Sequence, residues 1–188
     1  MTPKWNEFIT QLSNILSHIR VTDKLQNELP PNEGMEQWTK KALLLRQNDK
    51  TLFFAGNGAS ASMASHFSAD VAKNAGIRTW VFTDPALLTA VSNDLSYEDS
   101  YAEPIKWFMK GGDMLVAISS SGNSPNIVRA VKSALQQGGT VVTLSGMRED
   151  NSIRQLGHLN FYLPGNTYGL AETGHAAILH YWMDTIEK

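Results

Sequence analysis

A chain of 188 residues is the size of one ordinary domain, which excludes separate cofactor and substrate domains in favour of a single core. Hydrophobic residues at 42% and charged residues at 18% supply that core and exclude a disordered chain, while a net charge of -2 leaves no basic field to hold DNA or RNA. The absence of cysteine removes disulfides, thiolate metal sites and cysteine nucleophiles together, so any metal must bind through His, carboxylate or amide.

Trp5, Phe8, Ile9, Leu12, Ile15, Leu16 and Ile19 recur at spacings of three and four, which predicts a first amphipathic helix. Polar residues interrupt this stretch, unlike a signal peptide, and no later segment approaches the ~18 to 20 apolar residues of a membrane span. A soluble cytoplasmic protein without membrane contact is expected. Leu29-Pro30-Pro31-Asn32 breaks the chain, and Asn32, Glu33 and Glu36 start a second helix running to about Arg46.

From Thr51, short apolar runs alternate with helical periodicity. Strands are predicted at Thr51 to Ala55, Thr79 to Phe82, Met114 to Ile118, Thr140 to Leu144 and Asn160 to Leu163. Helices are predicted at Ala61 to Asn74, Pro85 to Val91, Asp99 to Lys110, Pro125 to Gln137 and Leu170 to Glu187. Such alternation predicts a three-layer α/β/α sandwich around a mostly five-stranded parallel sheet, preceded by two N-terminal helices, because parallel crossovers require helices. No repeat or linker divides it. The expected layout is one domain over 1–188, with helices for oligomerisation in 1–48 and an α/β core in 49–188.

Open α/β sheets bind ligands where strands end and helices present free N–H groups. Gly56-Asn57-Gly58-Ala59-Ser60-Ala61-Ser62 follows the first core strand, with glycines for close backbone approach and Asn57, Ser60 and Ser62 as donors. Its spacing also fits a dinucleotide fingerprint, for which Asp84 would be the ribose partner. The second loop, Ser119-Ser120-Ser121-Gly122-Asn123-Ser124, is more specific. Pro125 suits a first helical position with Ser124 as N-cap, which gathers hydroxyls where a phosphate would dock. A plain reading, in which both loops merely turn and cap helices, stands beside the phosphate reading.

His66 and Asp70 are four apart on one helix face, a metal-ligand spacing and equally an ordinary helical pair. The last helix offers Glu172, His175 and His180, with Asp184 one turn further; Glu172 and His180 are separated by roughly 12 Å of axial rise. Their long side chains converge only by leaning toward each other; the alternative is that one serves the site of a neighbouring subunit. His18 and His158 stand apart from this set and read as surface or packing residues.

With these residues in view, the chain resembles the sugar isomerase (SIS) domain family, and within it the phosphoheptose isomerases. The resemblance rests on Gly56-Asn57-Gly58 with Ser60, Leu88 to Asp94, the Ser119 to Ser124 loop and the closing helix with His180. It implies a flavodoxin-like fold in which Ser119, Ser120, Ser121 and Ser124 hold a substrate phosphate, while Gly56, Asn57, Gly58, Ser60, Asn93, Asp94 and Glu172 contact the sugar. It also implies one zinc ion per subunit on His66, Asp70, Glu172 and His180, and no organic cofactor. Asp70 and Glu172 depart from the Glu and Gln usual in the family, and Asn74 stands where an arginine is usual.

The implied reaction converts sedoheptulose 7-phosphate to D-glycero-D-manno-heptose 7-phosphate for heptose and lipopolysaccharide synthesis. It proceeds through a cis-enediol with Asp70 as base, His180 as acid and the metal as electrophile. Isomerisation of a different sugar phosphate and a non-catalytic role, as a sugar-phosphate sensor or an adaptor for a replication initiator, are the alternatives. The exposed stripe of the first helix, and the family, imply a homotetramer whose active sites draw on neighbouring chains.

Overall fold

The computed structural model describes residues 4–187; Met1–Pro3 and Lys188 of the expected single domain lie outside them. α1 (Trp5–Ser17) is followed by two short strands, β1 (Arg20–Asp23) and β2 (Glu28–Leu29), and then α2 (Pro31–Gln47). The strands were not expected from the sequence, which has no apolar run there. A local device makes the hairpin: the Asp23 carboxylate accepts from the amides of Leu25 and Asn27 at 2.8 and 2.9 Å, closing the turn.

The core continues as β3 (Thr51–Gly56), α3 (Ala59–Asp70), β4 (Arg78–Val81), α4 (Pro85–Asp94), α5 (Ala102–Phe108), β5 (Met114–Ser119), α6 (Pro125–Gln136), β6 (Thr140–Ser145), β7 (Leu159–Tyr162) and α7 (Tyr168–Ile186). Each of the five predicted core strands is present within a residue or two of its expected ends. The helix expected to run to Asn74 instead widens into a π-helical turn, Val71–Ala75, which Gly76 ends in the left-handed region at φ 64°. The helix expected over Asp99 to Lys110 is shorter, because a 3-10 turn at Tyr97–Asp99 precedes α5.

The sheet has seven strands in the order β2-β1-β7-β6-β5-β3-β4. The five from β3 to β7 are parallel, while β1 runs antiparallel to β7 and β2 to β1. The expected five-stranded sheet is therefore extended by a hairpin at one edge. Period-two alternation divides two cores: Leu52, Phe54, Val116 and Ile118 face α2, α3 and α7, whereas Phe53, Ala55, Leu115 and Ala117 face α5 and α6. On the first side Trp38 and Trp182 stack with ring centroids 4.2 Å apart, both fully buried. Among the described residues no helix is long and apolar enough to cross a membrane.

The order of the parallel strands reverses between β3 and β5. The chain leaves β3 toward one face and β5 toward the other, so a crevice opens between their C-terminal ends. Both small-residue loops lie there.

Candidate functional site

Gly56 ends β3 where any Cβ would come within 2.6 Å of the Ser60 backbone, and Gly58 adopts φ 56° with ψ -123°, a region closed to side chains. These two constraints turn the chain sharply into α3. Ser60 is buried in the resulting wall, and its amide donates to the Asn57 carbonyl at 3.0 Å.

The serine loop is bonded to itself. The Gly122 amide donates to the Ser119 hydroxyl at 3.2 Å, the Asn123 amide to the Ser121 hydroxyl at 3.2 Å, and the Ser119 and Ser124 hydroxyls are 3.4 Å apart. Ser124 stands at the N-cap of α6 with Pro125 following, as expected, but its side chain makes no cap bond and faces Ser119 instead. Gly122 has φ 66°, and a Cβ there would overlap the Asn151 side chain. Asn151 to Ile153 clasp the loop from behind: the Ile153 amide donates to the Gly122 carbonyl at 3.0 Å, and the Ser152 amide to Asn123 Oδ1 at 2.9 Å.

Between the loops lies a cavity of about 250 Å³, lined by Asn57, Gly58, Ser60, Ser119, Ser120, Ser121, Ser124, Tyr168 and Glu172. It is rich in hydroxyls and sits over the N-terminus of α6, which suits an anion. Ser120 Oγ is buried with no hydrogen-bond partner, a donor left for a ligand to satisfy. Glu172, on the first turns of α7, puts its carboxylate on the opposite wall.

Asn57 is less free than the sequence suggested. Its Nδ2 donates to Asn126 Oδ1 at 2.9 Å, while its Oδ1 accepts from Asn126 Nδ2 at 2.9 Å and from the Tyr97 hydroxyl at 3.2 Å. Beneath it the Tyr101 hydroxyl donates to the Gly56 carbonyl, and burial pushes that phenol up to about 12. Asn126, Tyr97 and Tyr168 are site residues that sequence reasoning missed. For Asn126 a signal was available, a polar residue at the second position of an otherwise apolar helix start.

The His and carboxylate set is split. His66 Nε2 lies 3.3 Å from Asp70 Oδ2 on α3, and the His180 ring of α7 meets His66 with centroids 5.7 Å apart. These three share an exposed face beside Phe67 and do not line the serine cavity, where Glu172 stands. The zinc set expected from the resemblance therefore does not fit within one chain: among the described residues, no group of three or more His, Asp or Glu is in place to hold a metal.

Other expected residues fall as follows. Asn93 and Asp94 end α4, exposed and bonded to each other at 2.9 Å, and do not line the cavity. Asp84 N-caps α4 by accepting from the Leu87 amide at 2.8 Å, so it is committed to a helix start rather than to a ribose. His158 accepts from the Val141 amide at 3.0 Å as a packing residue, and His18 is exposed. His175 is fully buried with both ring nitrogens unpartnered; burial pulls it down to about 4, opposed by the nearby Ser145 carbonyl, which lies outside good hydrogen-bond geometry.

A family model described as SIS domain matches residues 7–146. The chain is 30% identical over 182 residues to a phosphoheptose isomerase of Geobacter sp. (strain M21), covering 94% of this chain and 93% of that one. Its fold superposes on the structure of a phosphoheptose isomerase from Neisseria gonorrhoeae with a TM-score of 0.83 at 26% identity, over 97% and 94% of the two chains. A phosphoheptose isomerase from Francisella tularensis gives 0.84 at 23% identity, over 99% and 98%, a likeness of fold.

Proposed function

The chain belongs to the SIS domain family and is a sugar-phosphate isomerase, and we propose that its substrate is sedoheptulose 7-phosphate, converted to the corresponding aldose in heptose synthesis. The observation that carries the phosphate end of this reading is the cavity lined by Ser60 and the four serines of the Ser119–Ser124 loop, over the N-terminus of α6, with the buried Ser120 hydroxyl unsatisfied.

Isomerisation moves a proton between adjacent carbons through a cis-enediol. Asp70 takes the proton next to the carbonyl and returns it to the adjacent carbon, while His180 gives a proton to the carbonyl oxygen and recovers one from the neighbouring hydroxyl. His66 holds the Asp70 carboxylate in place through the 3.3 Å contact. Phosphate held in the serine cavity positions the reacting end, so remote binding lowers the barrier.

Because His66, Asp70 and His180 do not line the serine cavity, the proposed active site is completed between copies. The exposed Trp5 and Ile9 of α1 are the apolar surface offered for that assembly, proposed as a tetramer. Zinc belongs to this proposal only at such a junction, where Glu172 of one copy would join the imidazoles of another; the proton steps above do not run through it.

The test is turnover of sedoheptulose 7-phosphate by the purified protein, with metal content measured in parallel and Asp70→Asn and His180→Ala as controls. Turnover lost in both variants supports the reading. Phosphate binding without turnover of this sugar overturns the substrate, and the absence of both overturns the enzyme in favour of a binding role.

A further inference from the structure

Nothing covalent joins the two loops that wall the cavity. They leave strands that are paired as far as Gly56 and Ile118, for helices on opposite faces of the sheet, so beyond that point their separation depends on side chains that cross the crevice. One pair does so: the amides of Asn57 and Asn126, edge to edge with both N–H···O bonds at 2.9 Å, from positions 69 residues apart. Asn126 is 2% exposed, and its remaining capacity is spent inside the protein. Its Oδ1 also accepts from the Ile127 amide at 3.0 Å, and its Nδ2 lies 3.5 Å from the Ser100 hydroxyl. It has no group left for a ligand.

Tyr97 completes the arrangement from the other side. Its hydroxyl donates to the same Asn57 oxygen, and the turn that carries it is bound to α6 by Arg129, which bridges Glu98 at 2.5 Å and Asp99 at 2.7 Å. Arg129 lies one turn beyond Asn126, so the contacts form a closed circuit: Asn57, Asn126, Arg129, Asp99, Tyr97 and back to Asn57. With its oxygen doubly bonded and one N–H given to Asn126, Asn57 keeps a single N–H for the cavity.

We propose that Asn126 and Tyr97 are positioning residues which hold Asn57, and through it the glycine loop, in register with the serine loop, so that phosphate affinity depends on groups that never touch the ligand. This rests on the reading of the cavity as a phosphate site. Loss of either residue lets the loops drift apart while the sheet beneath stays intact.

Inorganic phosphate titrated by calorimetry into the purified protein tests this without turnover. Asn126→Ala weakens binding by about tenfold and Tyr97→Phe by about threefold, the scale of one or two hydrogen bonds. The double variant Asn57→Ala/Asn126→Ala is no weaker than the worse of its two singles, because the pair acts as a unit. In turnover of the sugar phosphate the loss falls on KM rather than on kcat. If Asn126→Ala does not fold, Tyr97→Phe, an exposed change, decides the question alone. Unchanged phosphate affinity in Tyr97→Phe, or additive losses in the double variant, overturns the proposal. If the unaltered protein binds no phosphate, the reading of the cavity falls and the proposal with it.

Discussion

His66 Nε2 lies 3.3 Å from Asp70 Oδ2 across one turn of α3. The contact orients a carboxylate whose side chain is still 29% exposed and so within reach of a substrate proton. Asp70→Asn keeps the shape and removes the basicity. Its kcat is expected to fall by about a hundredfold or more, the usual worth of a general base, with inorganic phosphate affinity unchanged. Steady-state kinetics beside calorimetry checks both halves.

Ser120 makes the opposite separation possible. Its buried hydroxyl has no partner, and an unsatisfied buried donor costs on the order of 1 to 3 kcal/mol. Ser120→Ala is therefore expected to hold or raise Tm, by about 2 °C, while phosphate binds roughly tenfold more weakly. Thermal melts with and without phosphate distinguish this from a purely structural serine, whose loss would lower Tm and leave affinity alone.

Burial holds the His175 imidazole at about 4, below its ordinary 6.5. In the unfolded chain the ring takes a proton as pH falls through 6.5, whereas in the folded chain it stays neutral until about 4. The stability due to this group is complete above 6.5 and is lost progressively down to 4, on the order of 3 kcal/mol in all. His158, also lowered by burial, adds in the same direction. Urea midpoints at pH 7.5 and 5 are expected to converge in His175→Leu relative to the unaltered protein.

Trp5 and Ile9 stand exposed on α1, while Ile15 further along the same helix is buried. Sedimentation at micromolar concentration is expected to give a tetramer, and Ile9→Asp to shift it toward smaller species with the same helical content. A monomer in the unaltered protein would remove the assembly on which the shared site depends.

The parallel core was legible because its strands are buried on both faces and read as continuous apolar runs, such as Leu52 to Ala55 and Met114 to Ile118. Arg20 to Asp23 carries no such run; it is a strand because β7 offers it an edge 138 residues away, between Thr22 and Asn160. The serine loop was legible from its hydroxyls and from Pro125. The role of Asn126 was not, since its partners Asn57 and Ser100 adjoin it only once β3 and α6 are folded together. Asn93 and Asp94 entered by resemblance alone, with no spacing or loop signal of their own; the structure sets them at the end of α4, bonded to each other.

The β1–β7 pairing joins Arg20 to Tyr162 and Asp23 to Leu159. During synthesis the β1–β2 hairpin thus leaves the ribosome ahead of β3 to β7, yet it has no sheet edge to join until β7 has followed it. α1 waits in the same way for α7, against which it packs. Local and neighbouring pairings among β3 to β6 close early, and the loop closures that bridge most of the chain come last. The surface proposed for assembly is consequently finished at the end of folding, so that copies meet only after the crevice of each is already in place.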